Sequence, residues 1–383
     1  MSSAEVLEHI LWQSDDRAIC LIDGPTSIQN AQGIGINEHF LLSIPATSEP
    51  FASQEPKTEA SRQRLLTTAP LRPLHVVYAG LLTCALSRLQ AAHTGAWLLP
   101  RTTKHDGEDS TQSTKSSEAC EQHLRNVEAG VPVQDDWPFV SNETASMTLG
   151  VCQDNAPFLF PSHSTFMLAD CADRTLIASF HANIRAQASE NDTPWRFDCI
   201  IMDPPWSNRS AKRKRGSYKT AEVSQVCDML HLMDLDRLMS TQCLVAVWIT
   251  NKESVREAVL GGYGLFQAWG VELVEEWLWL KVTTRGEPIT AIDALWRKPY
   301  EVLLLGRRHE LLSTRPRSLL KRRVLVSVPD VHSRKPCLKS LIEPMMHSEA
   351  RILEVFARHL VAGWWSWGNE CTKFNQTGQW QKH

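Results

Sequence analysis

The sequence predicts a doubly wound α/β sheet preceded by an N-terminal extension, on three observations. Six near-continuous apolar runs occur at 164–170, 197–203, 244–250, 275–281, 301–306 and 351–358, and runs apolar on both faces mark strands buried on both sides. Segments of helical period lie between them at 222–232, 234–239 and 252–266, and Pro336 is placed to open another that runs to 346. Strand alternating with helix is the pattern of a doubly wound sheet. The third observation is one corner: the run Phe197-Asp198-Cys199-Ile200-Ile201-Met202 leads into Asp203-Pro204-Pro205-Trp206. It delivers an acid where a buried strand leaves its sheet, and open α/β sheets bind their ligands there.

The chain before this pattern reads as an extension over 1–155, followed by a domain over 156–376 and a short tail over 377–383. Within the extension, 17–23 is a strand closed by Gly24-Pro25, 40–44 a strand ended by Pro45, 46–63 a polar loop and 71–99 a helix. The Ser/Thr/charged tract at 101–121 buries too little apolar surface to order itself and reads as a disordered insertion. Gly33-Ile34-Gly35 lacks the third glycine and the strand–helix setting of a nucleotide loop, so it reads as a turn.

Composition narrows the function classes. A chain of 383 residues can bury a large core, and 43% hydrophobic residues is ordinary for a globular protein. A net charge of −3 means that a nucleic acid would have to be met by local basic patches. Ten cysteines without CxxC spacing read as reduced, buried thiols, and 14 histidines show no paired-ligand spacing, so no metal is expected. The acidic first residues exclude a signal peptide, and the most apolar stretch, 74–86, is too short to span a bilayer, so no membrane partner is expected.

The corner suggests a reaction. The exocyclic amine of a nucleobase is a poor nucleophile, because its lone pair is delocalised into the ring. Two acceptors, one for each N–H, would turn that lone pair out of the ring plane. The Asp203 carboxylate and the Pro204 carbonyl are such a pair, and two prolines stiffen the loop that holds them. Trp206 is read as a platform for the base, a contact worth ~1–3 kcal/mol per stacked base. Taken alone, the same residues describe a proline turn with a core tryptophan and a helix-capping acid.

FDCIIMDPPW resembles the signature of the DPPW-type adenine-N6 methyltransferases, and the resemblance extends over roughly 160–375. The wording, with a basic loop after the corner and LEVFAR and GWWSWGNE later, is most similar to the methyltransferase-like protein 4 branch, linked to small nuclear RNA and to DNA adenine. The resemblance implies a Rossmann-like methyltransferase fold, S-adenosylmethionine as the methyl donor and a catalytic motif formed by Asp203, Pro204, Pro205 and Trp206. It also implies cofactor contacts at Asp170 and Cys171, at Asp203, at Lys335, at Phe356 and Arg358 of EVFAR, and at Asn369 and Glu370 of the GNE turn. The chain departs from the pattern after Arg358, where His359-Leu360-Val361 stands in place of an asparagine found in relatives.

Directly after the corner, Arg209, Lys212, Arg213, Lys214, Arg215 and Lys219, with Tyr218 among them, form a basic run free of acids. Such a run beside a base pocket would hold phosphates, and it also reads as a nuclear-localisation run, so the expected location is the nucleus. A second patch comprises Arg307, Arg308, Arg315, Arg317, Lys321, Arg322 and Arg323. Trp248, Trp277, Trp279, Trp364 and Trp365 lie in or near strand runs and read as core. The reading that results is an adenine-N6 methyltransferase for RNA, with DNA as the other substrate, working as a monomer or in a heterodimer. The competing reading is a catalytically silent nucleic-acid-binding subunit.

Overall fold

The computed structural model describes residues 8–33, 39–52, 58–60, 63, 72–103, 139–151, 157–190, 194–206, 222–294, 297–308 and 320–382. Its strands are β1 (Ile10–Gln13), β2 (Ile19–Ile22), β3 (His39–Ser43), β4 (Thr102–Thr103), β5 (Val140–Ser141), β6 (Thr148–Val151), β7 (Pro157–Phe160), β8 (Thr165–Met167) and β9 (Phe197–Met202). They continue with β10 (Met239–Ile249), β11 (Val271–Lys281), β12 (Tyr300–Arg308), β13 (Lys321–Ser327), β14 (Ile352–Val355), β15 (Trp365–Trp367) and β16 (Trp380–Lys382). The helices are α1 (Gly24–Asn30), α2 (Arg72–Ala92), α3 (Arg174–Glu190), α4 (Val223–Leu232), α5 (Leu235–Leu238), α6 (Glu253–Leu260), α7 (Leu265–Ala268) and α8 (Lys339–Ile342).

Eleven strands form one sheet in the order β1-β2-β13-β11-β12-β10-β9-β14-β15-β8-β5. The run from β10 through β8 is parallel throughout, while β12 runs antiparallel to both its neighbours. Period-2 alternation sends side chains to two cores. Val245, Val247, Leu278 and Leu280 enter a core on one face, and Leu244, Ala246, Trp248, Trp277 and Trp279 enter one on the other. On the first face pack α2, α3, α4 and α6, through residues such as Leu82, Phe180, Leu230 and Val255. Ile28 of α1 and Leu341 and Ile342 of α8 cover the second. Fully burying each such aliphatic side chain is worth about 1.5–3 kcal/mol, so a strand covered on both faces is held more tightly than a half-exposed one.

The α/β architecture follows the sequence expectation, with several differences in detail. Gly24-Pro25 opens a helix instead of closing a strand: Asp23 caps α1 by accepting from the Thr26 N–H at 3.0 Å, and Pro25 occupies the first turn. The helix expected over 252–266 breaks into α6 and α7 at a glycine turn, where a Cβ on Gly264 would lie 2.8 Å from the Val259 carbonyl. β13 emerges from a stretch read as a basic patch, and β15 includes Trp365, which the sequence placed in or near a strand.

The extension and the tail are built into the same sheets. β2 pairs in parallel with β13, and β16 pairs with β3, with Trp380 buried. β13 lies between β2 and β11, so β2 satisfies backbone groups of β13 that would otherwise be left unpaired. Beyond residue 103, the tract read as a disordered insertion lies outside the described residues, as does the whole basic run at 209–219. Among the described residues, no helix is long and apolar enough to cross a membrane.

Candidate active site

β9 is the strand that places the acid. It lies between β10 and β14, parallel to both. Cys199, Ile200, Ile201 and Met202 are fully or almost fully buried, so the strand cannot slip without exposing its core face. The Asp203 N–H continues the ladder to the Val355 carbonyl at 3.4 Å. Then the two prolines end the pairing. The Trp206 N–H donates to the Pro204 carbonyl at 2.7 Å, a three-residue turn around Pro205. The Pro204 carbonyl is thus not wholly free, as the sequence suggested. It keeps one of its two lone pairs for a ligand. Trp206 is 4% exposed, and its indole N–H donates to the Trp248 carbonyl at 2.7 Å. Instead of offering an open ring face for stacking, it pins the proline turn to β10.

Beside this corner lies an open cleft of about 510 Å³. Asp203, Lys335, Phe356 and Arg358 line it, together with Glu354 and Trp248. Lys335 Nζ sits 2.6 Å from Asp203 Oδ2 and 3.5 Å from Glu301 Oε2. Glu301 Oε1 in turn is 2.5 Å from Lys281 Nζ. Charges therefore alternate along a chain Asp203–Lys335–Glu301–Lys281. Burial alone would raise the Glu301 carboxyl, but the two lysines outweigh it and hold it down to about 2. Burial likewise opposes the charge on Lys335, and Asp203 and Glu301 outweigh it, so its pKa is raised. Asp203 Oδ1 has no hydrogen-bond partner among the described residues.

Phe356, immediately after β14, has φ +58, a left-handed conformation that costs a non-glycine residue about 1–3 kcal/mol. It turns the chain sharply into the cleft wall. Gly368 permits the turn, since a Cβ there would lie 3.2 Å from the Phe356 Cα. Arg358 is held by the Ser333 carbonyl at 3.2 Å and by Glu370 at 3.4 Å.

The other expected cofactor residues are not on this cleft. Asp170 is exposed and accepts from the Ala172 N–H at 2.9 Å, capping its own loop. Cys171 is buried in the core, and its sulfur accepts from the Phe356 backbone. Asn369 is exposed, and Glu370 pairs with Lys373 at 2.8 Å as well as with Arg358. These four sit around the ends of β8 and β15, linked to the cleft through Arg358–Glu370. Sequence reasoning missed Lys281, Glu301 and His359. Alternation along WLWLK places Lys281 in line with Trp277 and Trp279, and that signal was available. The imidazole Nε2 of His359 is buried and has no hydrogen-bond partner among the described residues, and the ring lines the cleft.

Glu354 carries a pH signature. Burial first, and then the charge of Asp203, raises its carboxyl to about 8, whereas an unfolded glutamate ionises near about 4.3. Between those values the unfolded chain has lost its proton and the folded chain has not. Stability from this group therefore falls as pH rises from about 4.3 through about 8 and is flat above that. Glu354→Gln is expected to remove the slope, gaining on the parent at about pH 8 relative to about pH 5 in urea unfolding. Equal pH slopes in parent and variant would contradict this assignment.

The donor set suits S-adenosylmethionine. Lys335 offers a cation to a carboxylate, Arg358 and the neutral Glu354 offer N–H and O–H donors, and Trp248 and Phe356 offer apolar walls. Among the described residues, no group of three or more His, Cys, Asp or Glu side chains is arranged to hold a metal.

The MT-A70 family model matches residues 197–370, the span that contains every residue lining the cleft except Phe374. The N6-methyladenosine RNA methyltransferase MTA1 of Cryphonectria parasitica is 35% identical over 382 residues, covering 97% of this chain and 94% of that protein. The N(6)-adenine-specific methyltransferase METTL4 of Homo sapiens is 32% identical over 261 residues, 66% of this chain and 51% of that protein. The DNA N6-methyl methyltransferase of Caenorhabditis elegans is 34% identical over 219 residues, 57% and 54% of the two chains. MT-A70 methyltransferases generally use S-adenosylmethionine. With the proline corner, the lysine-paired acid and a likeness running almost end to end, the chain belongs to the MT-A70 family of adenine-N6 methyltransferases.

Proposed function

We propose that this chain transfers the methyl group of S-adenosylmethionine to N6 of adenosine in RNA. The observation that carries the reading is Asp203: one carboxylate oxygen is held at 2.6 Å by Lys335, and the other has no hydrogen-bond partner among the described residues. When bound, the cofactor supplies an electrophilic methyl group on a sulfonium. Asp203 Oδ1 and the Pro204 carbonyl accept the two N–H bonds of the adenine amine and turn its lone pair out of the ring plane. Lys335 pairs with Asp203 at 2.6 Å and presents a cation to the cofactor carboxylate. Glu354, neutral near pH 7, donates a hydrogen bond without adding charge. The proton released from the methylated amine passes to Asp203 Oδ1. Asp170 and Asn369, both exposed, and Glu370 beside Arg358 form the outer rim for the adenosyl part, with Cys171 packed beneath them. The basic run Arg209, Lys212, Arg213, Lys214, Arg215 and Lys219, with Tyr218, holds the phosphates, and a nuclear location goes with it.

RNA is favoured by the names of the relatives that align over nearly the whole chain. DNA adenine is the second reading, favoured by the name of the Caenorhabditis elegans relative. The test is methylation with labelled cofactor across matched RNA and DNA oligonucleotides, followed by nucleoside analysis. N6-methyladenosine from RNA is expected. Methylated deoxyadenosine alone would move the assignment to DNA. Cofactor binding with no methylated base in any oligonucleotide would favour a silent binding subunit.

A further inference from the structure

We propose that Arg101, from the N-terminal part of the chain, is a positioning residue for the cofactor site, acting through Asp330 on the segment that carries Lys335. The inference rests on the function reading above, in which Lys335 meets the cofactor carboxylate.

Lys335 is not on a helix or a strand. It stands in the irregular stretch between β13 and α8, which has no ladder of its own to hold it. A cation that must meet a ligand to within about 0.5 Å needs support from neighbouring packing and hydrogen bonds. Here that support is a buried cluster of two arginines on one carboxylate. The side chains of Arg101, Asp330 and Arg334 are 5%, 3% and 1% exposed. Arg334 Nη1 lies 2.6 Å from Asp330 Oδ2, and Arg101 Nη1 lies 3.8 Å from Asp330 Oδ1.

Arg101 also fastens the backbone. Its Nη2 donates to the carbonyls of Val328 at 2.9 Å and Pro329 at 3.1 Å, at the start of the stretch. Asp330 is held from the same side, accepting from the Ile44 N–H at 3.0 Å and the Ser43 hydroxyl at 3.3 Å. Arg334, the residue before Lys335, donates to the Leu42 carbonyl at 2.8 Å. The stretch is then closed by the Cys337 N–H on the Ser27 hydroxyl at 2.9 Å. Ser27, Leu42, Ser43, Ile44 and Arg101 all lie in the first 101 residues, and from the C-terminal side the stretch is also held by Arg334 on Gln379 at 3.3 Å and Arg358 on the Ser333 carbonyl at 3.2 Å. The N-terminal part thus supplies the frame against which Lys335 reaches Asp203.

The cluster also indicates which variant keeps the fold. Removing Asp330 would leave two buried guanidinium groups without a counterion. Removing the charge of Arg101 leaves Asp330 and Arg334 as a one-to-one pair, and methionine fills much of the volume. Arg101→Met is therefore expected to fold, to bind S-adenosylmethionine about tenfold more weakly in calorimetric titration, and to exchange the amides of 328–336 faster. Arg101→Lys, which keeps the charge but not the planar fork, serves as the second variant in the same titration and is expected to weaken binding in the same direction. The decisive comparison is with Lys335→Met. If Arg101 acts through Lys335, the double variant binds no more weakly than Lys335→Met alone. Additive losses in the double variant, or unchanged affinity in Arg101→Met and Arg101→Lys beside a parent that binds, would overturn the inference. A parent that takes up no S-adenosylmethionine would instead bring down the function reading.

Discussion

Replacing Asp203 with alanine is expected to lower the rate of methyl transfer by about 10²–10³-fold, while S-adenosylmethionine affinity stays within about threefold of the parent. The asymmetry comes from the charge chain. Asp203 supplies an acceptor that matters only when the amine lone pair is being turned toward the methyl group, so its loss falls on the chemical step. Lys335 does not become an orphan when Asp203 goes, because Glu301 remains 3.5 Å away as its counterion. One further change has a fixed sign: the charge of Asp203 is the second cause of the raised Glu354 pKa, so that pKa should fall in the variant. Asp203→Asn is expected to be nearly as slow as alanine, since its amide offers the base a donor where an acceptor is needed. Single-turnover rates beside a calorimetric titration separate the two quantities. A variant that methylates at the parent rate would sink the role given to Asp203, and one that no longer binds cofactor would show that the carboxylate holds the donor instead.

The acid itself was legible because three local signals coincide. A buried run gives the strand, two prolines end it, and the carboxyl end of a parallel strand is where ligands bind. Lys335 and Arg358 were legible only through the family pattern. Their position depends on a loop and a left-handed Phe356, and neither leaves a periodic trace. Glu301 and Lys281 went unread because a glutamate opening one strand and a lysine ending another look like ordinary surface charges. Only the antiparallel pairing of β11 with β12 brings them together. His359 stood out as a departure from the pattern, yet the sequence could not show that its ring nitrogen is buried without a partner among the described residues.

The sheet's central strands were legible for the same reason as the acid. Runs such as LVAVWI are apolar at every position, so their burial on both faces follows from composition alone. β13 was not, because its first three residues, Lys321, Arg322 and Arg323, are charged. Charge reads as solvent exposure until the partners are known. Arg323 is paired with Glu275, and Arg307 and Arg308 donate to backbone carbonyls at Gln242 and Asp236. The second basic patch is thus in large part the sheet's own wiring, which leaves less of it to hold phosphates. The N-terminal strands were recognised as strands, but their pairing with β13 and β16 joins residues about 300 positions apart. No local signal encodes such a pairing.

Glu276 shows how much of the fold depends on one such non-local group, and Glu276→Ala is expected to cost about 3–5 kcal/mol of stability. The carboxylate is fully buried in β11. Its Oε1 accepts from Arg256 of α6 at 2.5 Å and from the Tyr78 hydroxyl of α2 at 2.9 Å, and its Oε2 accepts from Arg322 of β13 at 2.8 Å. Alanine would leave two guanidinium groups without their carboxylate, with only the Tyr78 hydroxyl still accepting from Arg256 at 3.1 Å. Arg322→Met should cost less, because Arg256 and Tyr78 still bond Oε1 and Arg256 still balances the charge, while only Oε2 loses its donor. Urea unfolding of the two variants reads the difference directly, and Glu276→Ala within about 1 kcal/mol of the parent would mean that the cluster does not anchor these elements. The contrast also predicts a rescue. If the loss comes from uncompensated charge, replacing Glu276 with leucine together with Arg256 and Arg322 with methionine should recover most of the stability. If it comes instead from losing a tie between helix and sheet that apolar contact cannot replace, the triple variant should stay as weak as alanine. In that case the carboxylate is kept for the geometry it imposes on α2, the helix that connects the N-terminal frame to the sheet.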